Sequence, residues 1–204
     1  MNDKFQLVLA SQSPRRKELL QDTYLNFVIE PSHNEEITQE VSPKLIVEDL
    51  AKQKAYDVWK STKYANPFIL AADTVVVFND TILGKPKDKA DAAKTLMSLS
   101  NQKHYVFTGV CLKTKDNERV FSICTEVLFD QISSDLLDLY LATNDSLDKA
   151  GAYGIQKFSQ GFIKKIDGSY SNVVGLPVQQ VLQEIKTFFP IETRESGEWR
   201  NYFV

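Results

Sequence analysis

The stretch Leu9-Ala10-Ser11-Gln12-Ser13-Pro14-Arg15-Arg16-Lys17 places three cations where a helix is least hospitable to them. Ser13-Pro14 is a helix-start signal: serine caps free N–H groups, and proline suits the first helical position, where no amide hydrogen is needed. Arg15, Arg16 and Lys17 then fall in the first turn, at the positive end of the helix dipole, where cations cost stability and anions are favoured. A bound anion removes the conflict, because backbone N–H groups, the hydroxyls of Ser11 and Ser13 and the dipole all act on it together. Arginine adds bidentate recognition of phosphate. The alternative is a solvated basic helix face; the flanking serines and the apolar run before them favour a phosphate. Neither GxxxxGK[ST] nor GxGxxG occurs in the chain, so phosphate binding here does not use a glycine loop.

Asp73 is the second chemically expressive residue. It stands in the middle of Phe68–Phe78, FILAADTVVVF, an otherwise apolar run. A carboxylate there is costly unless it is paired, bound to a metal or placed at the edge of a site. It reads as a metal ligand or a general base, with a strand-end aspartate bonded to backbone as the alternative. Glu35 and Glu36 form an acidic pair in a polar loop, and one of them with Asp73 makes an oxygen set suited to Mg²⁺ completed by substrate phosphates. Lys54, on a helix, and Lys85, beside a glycine turn in LGKP, supply point charges for a polyphosphate. Gln156 follows two glycines in AGAYGIQ and suits a hydrogen bond to a base edge or a water. His33 and His104 are isolated, HExxH is absent, no serine triad assembles, and the two cysteines lack zinc spacing.

The elements that must position these groups follow from periodicity. Residues 5–10, 25–30 and 68–78 read as strands, and 79–86, NDTILGKP, turn into a further short strand. Residues 104–114 and 119–130 read as a long hairpin around 115–118. Helices are predicted from Pro14, from Ser42-Pro43 with Leu45, Ile46, Leu50, Ala51, Tyr56 and Val58 as its apolar members, over 88–100 with Asp88 as cap, over SSDLLDLYLAT, and over LPVQQVLQEIKTFF. GFIKKIDGSYSNVVG reads as strand, Asp-Gly turn, strand. The last dozen residues read as a loose polar tail, which divides the chain into a domain over 1–190 and a tail over 191–204. Alternating strands and helices with an antiparallel hairpin between them indicate an α/β fold with a mixed sheet.

The chain has 204 residues, 43% of them hydrophobic, and a formal charge of −3. It is long enough for a sizeable core and too acidic overall for a general polyanion binder, so no nucleic-acid partner is expected. No apolar run is long enough to span a membrane, and the apolar part of the N-terminus is too short for a secretory signal. Cys111 and Cys124 read as buried thiols rather than a disulfide, and the cytoplasm is the expected compartment.

LASQSPRRKELL, AADTVV, LGKP, LDKAGAYGIQ and IDGSYSNVVGLPV, in that order, resemble the Maf family of nucleoside triphosphate pyrophosphatases over about 7–182. The resemblance implies an elongated, strongly twisted mixed sheet flanked by helices, with two lobes and a central cleft, similar to the inosine triphosphate pyrophosphatases. It implies hydrolysis of a nucleoside triphosphate to the monophosphate and pyrophosphate with a divalent cation, Mg²⁺ or Mn²⁺. It also implies Asp73 as the catalytic proton acceptor, Ser11, Arg15, Arg16, Lys54, Thr74, Lys85 and Gln156 as substrate-binding residues, and Glu36 with Asp73 as metal ligands. Glu35 is the alternative to Glu36, because the loop SHNEEI departs from the family pattern. By the same analogy the chain forms a homodimer and serves house-cleaning and cell-division arrest; a nucleotide-sensing regulator of septum formation with little turnover is the rival reading.

One Maf branch carries Pro-Trp-Arg, Ser-Asp-Gln and Cys-Ala-Gly-Ser and is specific for 7-methyl-GTP. This chain has Pro14-Arg15-Arg16, Ala72-Asp73-Thr74 and Ala150-Gly151-Ala152, and so resembles the branch acting on dTTP, UTP and modified pyrimidine nucleotides. Lys157 stands where glycine is common, Asn79-Asp80-Thr81 replaces an Asn-Gly-Glu-like turn, and the segment after Pro190 has no counterpart.

Overall fold

The computed structural model describes residues 4–143 and 145–204, apart from the side chains of Lys157, Phe158 and Gln160; the Lys157 departure therefore lies outside the described side chains. The long apolar run forms strand β3, Pro67–Phe78, with ten of its twelve positions buried. That is the pattern of a strand covered on both faces. Strand β1, Gln6–Leu9, runs parallel to β3, with Gln6 opposite Pro67 and Leu9 opposite Leu70. Strand β2, Val28–Ile29, lies parallel on the other side of β1. Strand β4, Thr81–Leu83, returns antiparallel to β3. Asn79 and Asp80 both have positive φ, 48° and 58°, the conformation that a two-residue hairpin turn requires. Strands β5, Lys103–Lys113, and β6, Glu118–Phe129, form the expected hairpin, and β7, Ile163–Asp167, is antiparallel to β6. The seven-stranded sheet has the order β2-β1-β3-β5-β6-β7, with β4 on β3. It is the mixed sheet of an α/β fold.

Helices are α1 Pro14–Gln21, α2 Pro43–Ser61, α3 Lys89–Leu99, α4 Ser134–Ala142, α5 Tyr170–Val174, α6 Val178–Lys186 and α7 Ile191–Ser196. The Asp88 carboxylate accepts from the Asp91 amide at 2.8 Å and the Ser133 hydroxyl from the Leu136 amide at 3.3 Å, the capping bonds the sequence calls for.

The chain divides into two compact units. The first comprises the residues up to Asp73, Gly109–Ser122 and Gly175–Val204. Its strands bury alternate residues on opposite faces. Leu7, Leu9, Phe68 and Leu70 pack with Val181 and Ile185 of α6 and with Trp199 and Phe203. Val8, Ala10, Ile69, Ala71 and Cys111 pack with Ala51, Ala55 and Val58 of α2. A Cβ on Gly109 would lie 2.2 Å from the Val47 carbonyl oxygen, so only glycine lets α2 approach β5 this closely. The second unit comprises Thr74–Thr108 and Ile123–Val174. Its core joins Val76, Val106, Val127 and Phe129 to Leu96, Leu99, Leu137, Tyr140 and Phe162.

Five sequence expectations change. β2 keeps two residues of the six predicted. Leu45 is exposed, and the buried stripe of α2 runs instead through Ile46, Val47, Ala51, Ala55 and Val58. After the Asp167-Gly168 turn the chain forms α5 rather than a second strand. The Ser169 hydroxyl accepts from the Asn172 amide at 3.2 Å, and the Ser169 carbonyl accepts from the Val173 amide at 3.3 Å, so local capping overrides the hairpin signal. Residues 191–204 are not loose: Trp199 and Phe203 are buried, Phe203 pairs with Phe5, and the Arg200 guanidinium donates to the Thr23 carbonyl at 2.8 Å. Two aromatic anchors outweigh the polar composition of that segment. Cys111 is buried as expected, but Cys124 is exposed; both are free. Among the described residues no helix is long and apolar enough to cross a membrane.

Candidate active site

Strand β1 ends opposite Leu70 while its parallel neighbour β3 continues to Phe78, so the residues after β1 and the next stretch of β3 both lie at the carboxyl end of β1. The Ala10 amide donates to the Leu70 carbonyl at 2.8 Å; Ser11 lies one residue beyond and Asp73 three. Carboxyl ends of parallel strands are where α/β folds assemble ligand sites.

At the start of α1, Ser13 is the N-cap in extended conformation, with Pro14 as the first helical residue, as the sequence requires. The Ser11 hydroxyl is nearly buried. It accepts from the Ser13 amide at 3.2 Å and from the Arg16 Nη1 at 3.3 Å. Arg16 Nε donates to the Gly175 carbonyl at 2.8 Å, which anchors the guanidinium at its base. Burial lowers the Arg16 pKa, and neighbouring Arg15 lowers it further, while the charges of Asp73 and Glu36 push it back up. The cations of the first turn are thus crowded and partly desolvated, and two carboxylates lie close enough to act on them.

Those carboxylates meet on Lys54. Its Nζ is 2.6 Å from Asp73 Oδ1 and 3.0 Å from Glu36 Oε1. The Lys54 and Asp73 side chains are each 13% exposed and Glu36 is 46% exposed, so Glu36 is the outer member of the triad. A buried aspartate in a strand thereby has its charge compensated, which answers the cost that made it conspicuous in the sequence. Of the two candidate acids in the SHNEEI loop, Glu36 is the one that reaches the cluster. Ser11, Arg16, Lys54, Asp73 and Glu36 are therefore brought together within the first unit.

The remaining expected residues belong to the second unit. The Thr74 hydroxyl is 2.9 Å from the Thr108 hydroxyl, and buried Thr108 donates to the Asn172 carbonyl at 3.0 Å. Lys85 is exposed and follows Gly84, whose carbonyl accepts from the Gly151 amide at 3.1 Å. Gln156 is half-buried, with its carbonyl accepting from the Ser159 hydroxyl at 3.0 Å. Upstream of it, Tyr153 meets a residue dismissed as isolated: the Tyr153 hydroxyl is 2.6 Å from His104 Nε2, and both side chains are buried. Burial lowers the His104 pKa to about 4 and raises that of Tyr153. Only the apolar alternation of β5 places His104 inside; nothing in sequence spacing links it to a tyrosine 49 residues away.

The donor set bears on a divalent metal. Two carboxylates already converge on one positive charge, and such a pair joined by phosphate oxygens suits Mg²⁺. Among the described residues, no three His, Cys, Asp or Glu side chains cluster to hold a metal alone. The residues fit a cation that arrives with a phosphorylated ligand.

A family model described as "Maf-like protein" matches residues 6–188. A dTTP/UTP pyrophosphatase of Geobacillus sp. (strain WCH70) is 44% identical over 182 residues, spanning 89% of this chain and 97% of that protein. A second protein so named, from Thermosipho africanus (strain TCF52B), is 44% identical over 175 residues, spanning 86% of this chain and 89% of its own length. A solved nucleoside-triphosphatase / dITP/XTP pyrophosphatase from Mycobacterium abscessus covers 92% of this chain with a TM-score of 0.48 at 14% identity. By the span of the family match and the identity to these relatives, the chain belongs to the Maf family.

Proposed function

We propose that this chain is a nucleoside triphosphate pyrophosphatase that hydrolyses dTTP and UTP to the monophosphate and pyrophosphate. The observation that carries the reading is the Glu36–Lys54–Asp73 triad set beside Arg16 and the amino end of α1. The relatives named dTTP/UTP pyrophosphatase support it, as does the Ala72-Asp73-Thr74 motif of the pyrimidine branch.

In the proposed reaction water attacks the α-phosphorus. The new P–O bond forms as the bond from that phosphorus to the bridging oxygen breaks, and pyrophosphate leaves with the bridging oxygen. An oxygen of the Asp73 carboxylate accepts the proton of the attacking water. Lys54, held between two carboxylates, orients Asp73 and offers its charge to the phosphates. Arg15 and Arg16 bind phosphate oxygens at the helix start and offset the charge that develops on the leaving group. Glu36 and Asp73 would hold a divalent cation, Mg²⁺ or Mn²⁺, which supplies charge neutralisation of the phosphates and acidification of bound water. Lys85 takes a phosphate-binding role, and Thr74 and Gln156 take roles in base recognition, on their motif positions.

The test is pyrophosphate release from dTTP, UTP, CTP and 7-methyl-GTP with Mg²⁺ or Mn²⁺. We expect dTTP and UTP to be turned over best. Preference for 7-methyl-GTP would overturn the branch assignment, and nucleotide binding without pyrophosphate release would favour the sensor.

A further inference from the structure

The loop that delivers Glu36 has no regular secondary structure, yet α2 grips it on both sides of that residue. Upstream, the Asp57 carboxylate accepts from the Ser32 hydroxyl at 2.8 Å, the His33 amide at 2.9 Å and the Asn34 amide at 3.4 Å, all on Oδ2. Its Oδ1 accepts from the Asn34 side-chain amide. Downstream, Gln53 Nε2 donates to the Ile37 carbonyl at 2.7 Å, and Gln53 Oε1 accepts from the Ile37 amide at 3.4 Å. Gln53 Nε2 also donates to Asp49 Oδ2 at 2.9 Å, which fixes the orientation of the amide. Gln53 and Asp57, four residues apart, share one helix face, and Lys54 beside them reaches the Glu36 carboxylate itself.

We infer that Asp57 and Gln53 are positioning residues for Glu36: they pin residues 32–34 and Ile37 to α2 so that Glu36 is set on Lys54 before substrate arrives. The inference rests on the pyrophosphatase reading for the part that Glu36 plays in the reaction. Its physical basis is preorganisation. An exposed irregular loop must be ordered for its carboxylate to act, and ordering it in advance removes that entropy cost from substrate binding and reaction. The grip also explains how the Ser-His-Asn-Glu-Glu-Ile loop keeps its acid in place: Ser32, His33 and Asn34, just upstream of it, are the groups that Asp57 binds. The Asp57 carboxyl is pulled up by burial but held below its ordinary value by the His33, Ser32 and Asn34 hydrogen bonds, as expected of a carboxylate committed to accepting them.

The test uses full-length Asp57→Asn, Glu36→Gln and the double variant, assayed for UTP turnover, with amide hydrogen exchange over residues 33–37 as a readout independent of catalysis. Asp57→Asn should accelerate that exchange and lower turnover by about tenfold, as loss of a group that orients a ligand does. The melting temperature should stay within a few degrees of wild type. In the Glu36→Gln background Asp57→Asn should lower turnover little further, because it acts through Glu36. Unchanged exchange, or losses that multiply in the double variant, would overturn the inference. Wild-type turnover by Glu36→Gln would instead overturn the catalytic reading of Glu36, and the exchange rates would still decide whether Asp57 pins the loop. Should Asp57→Asn fold poorly, Gln53→Ala serves, with faster exchange at the Ile37 amide and the same lack of additivity expected.

Discussion

The two units hold their polar groups by different means. In the first, regular elements and opposite charges do the work: Ser11 and Arg16 sit at a capped helix start, and Lys54 on α2 joins Asp73 on β3 to Glu36. In the second, the segment Ala150–Gln156 is irregular, with Gly151 and Ala152 in succession at positive φ, 67° and 63°. A Cβ on Gly151 would lie 3.0 Å from a Val76 methyl, so that turn is closed by packing as well as by conformation. It is fixed by neutral hydrogen bonds: Gly151 amide to Gly84 carbonyl, Tyr140 hydroxyl to Ala152 carbonyl, and the buried His104–Tyr153 pair. Charges held by charges tolerate exposure to solvent; a strained backbone needs a buried scaffold. Substitutions in the charged cluster of the first unit should therefore act mainly on ligand and reaction, and those at His104 and Ala152 of the second on stability.

The largest effect expected is that of Asp73→Asn. It removes the proposed proton acceptor and should lower pyrophosphate release from UTP about a thousandfold, within the range for loss of a general base. Circular dichroism should show the fold intact. Wild-type turnover in this variant would break the assignment of chemistry to the first unit. Next comes Arg16→Ala. Loss of charge-assisted contacts to phosphate should weaken pyrophosphate binding by about 3 kcal/mol, roughly a hundredfold, and shrink the rise in melting temperature that pyrophosphate produces. The anchoring of Arg16 to the Gly175 carbonyl offsets part of its unfavourable place at the helix start, so the unliganded variant should gain little stability. An undiminished ligand-induced rise would return the helix start to a solvated basic face.

These first-unit features were legible because they break a local rule. Cations in a first helical turn and a carboxylate inside an apolar strand are anomalies that a single stretch of sequence displays. The strand and helix order was legible for the same reason, from periodicity. Asp57 was not, because an aspartate on the polar face of an amphipathic helix looks like any solvated residue until the loop folds against it. His104 and Tyr153 were not, because their meeting depends on how β5 and an irregular loop are brought together in three dimensions. Trp199 and Phe203 were hidden by the polar residues around them, since average composition does not register two buried aromatics.

The second unit can be probed through pH. His104 titrates near 6.5 when unfolded and at about 4 in the fold. Between those values the unfolded state binds the extra proton, so stability is complete above about pH 6.5 and falls as pH drops toward 4. The share due to His104 should be about 2 kcal/mol between pH 7 and pH 5. Urea unfolding of wild type and His104→Leu at both pH values isolates it, because the variant should lack this part of the slope. Equal slopes would mean that His104 is not held neutral by burial, and the contrast between charged and neutral scaffolds would fail.

The smallest effect sharpens the comparison most directly, because it isolates backbone strain. Ala152 is fully buried in the second core yet sits at φ 63°. Replacing it with glycine removes a methyl group, costing about 1 kcal/mol of burial, and adds backbone freedom to the unfolded chain, costing about 0.5–1 kcal/mol more. Relief of the left-handed strain returns about 1–2 kcal/mol. Ala152→Gly should therefore change stability by less than about 1 kcal/mol. Ala92, equally buried in the same core but in the interior of α3, has no strain to relieve, so Ala92→Gly should cost about 2 kcal/mol by the same two losses. Denaturant midpoints of the two variants read the strain as a difference. Equal destabilisation would show that Ala152 stores none, and that the irregular loop is held without tension.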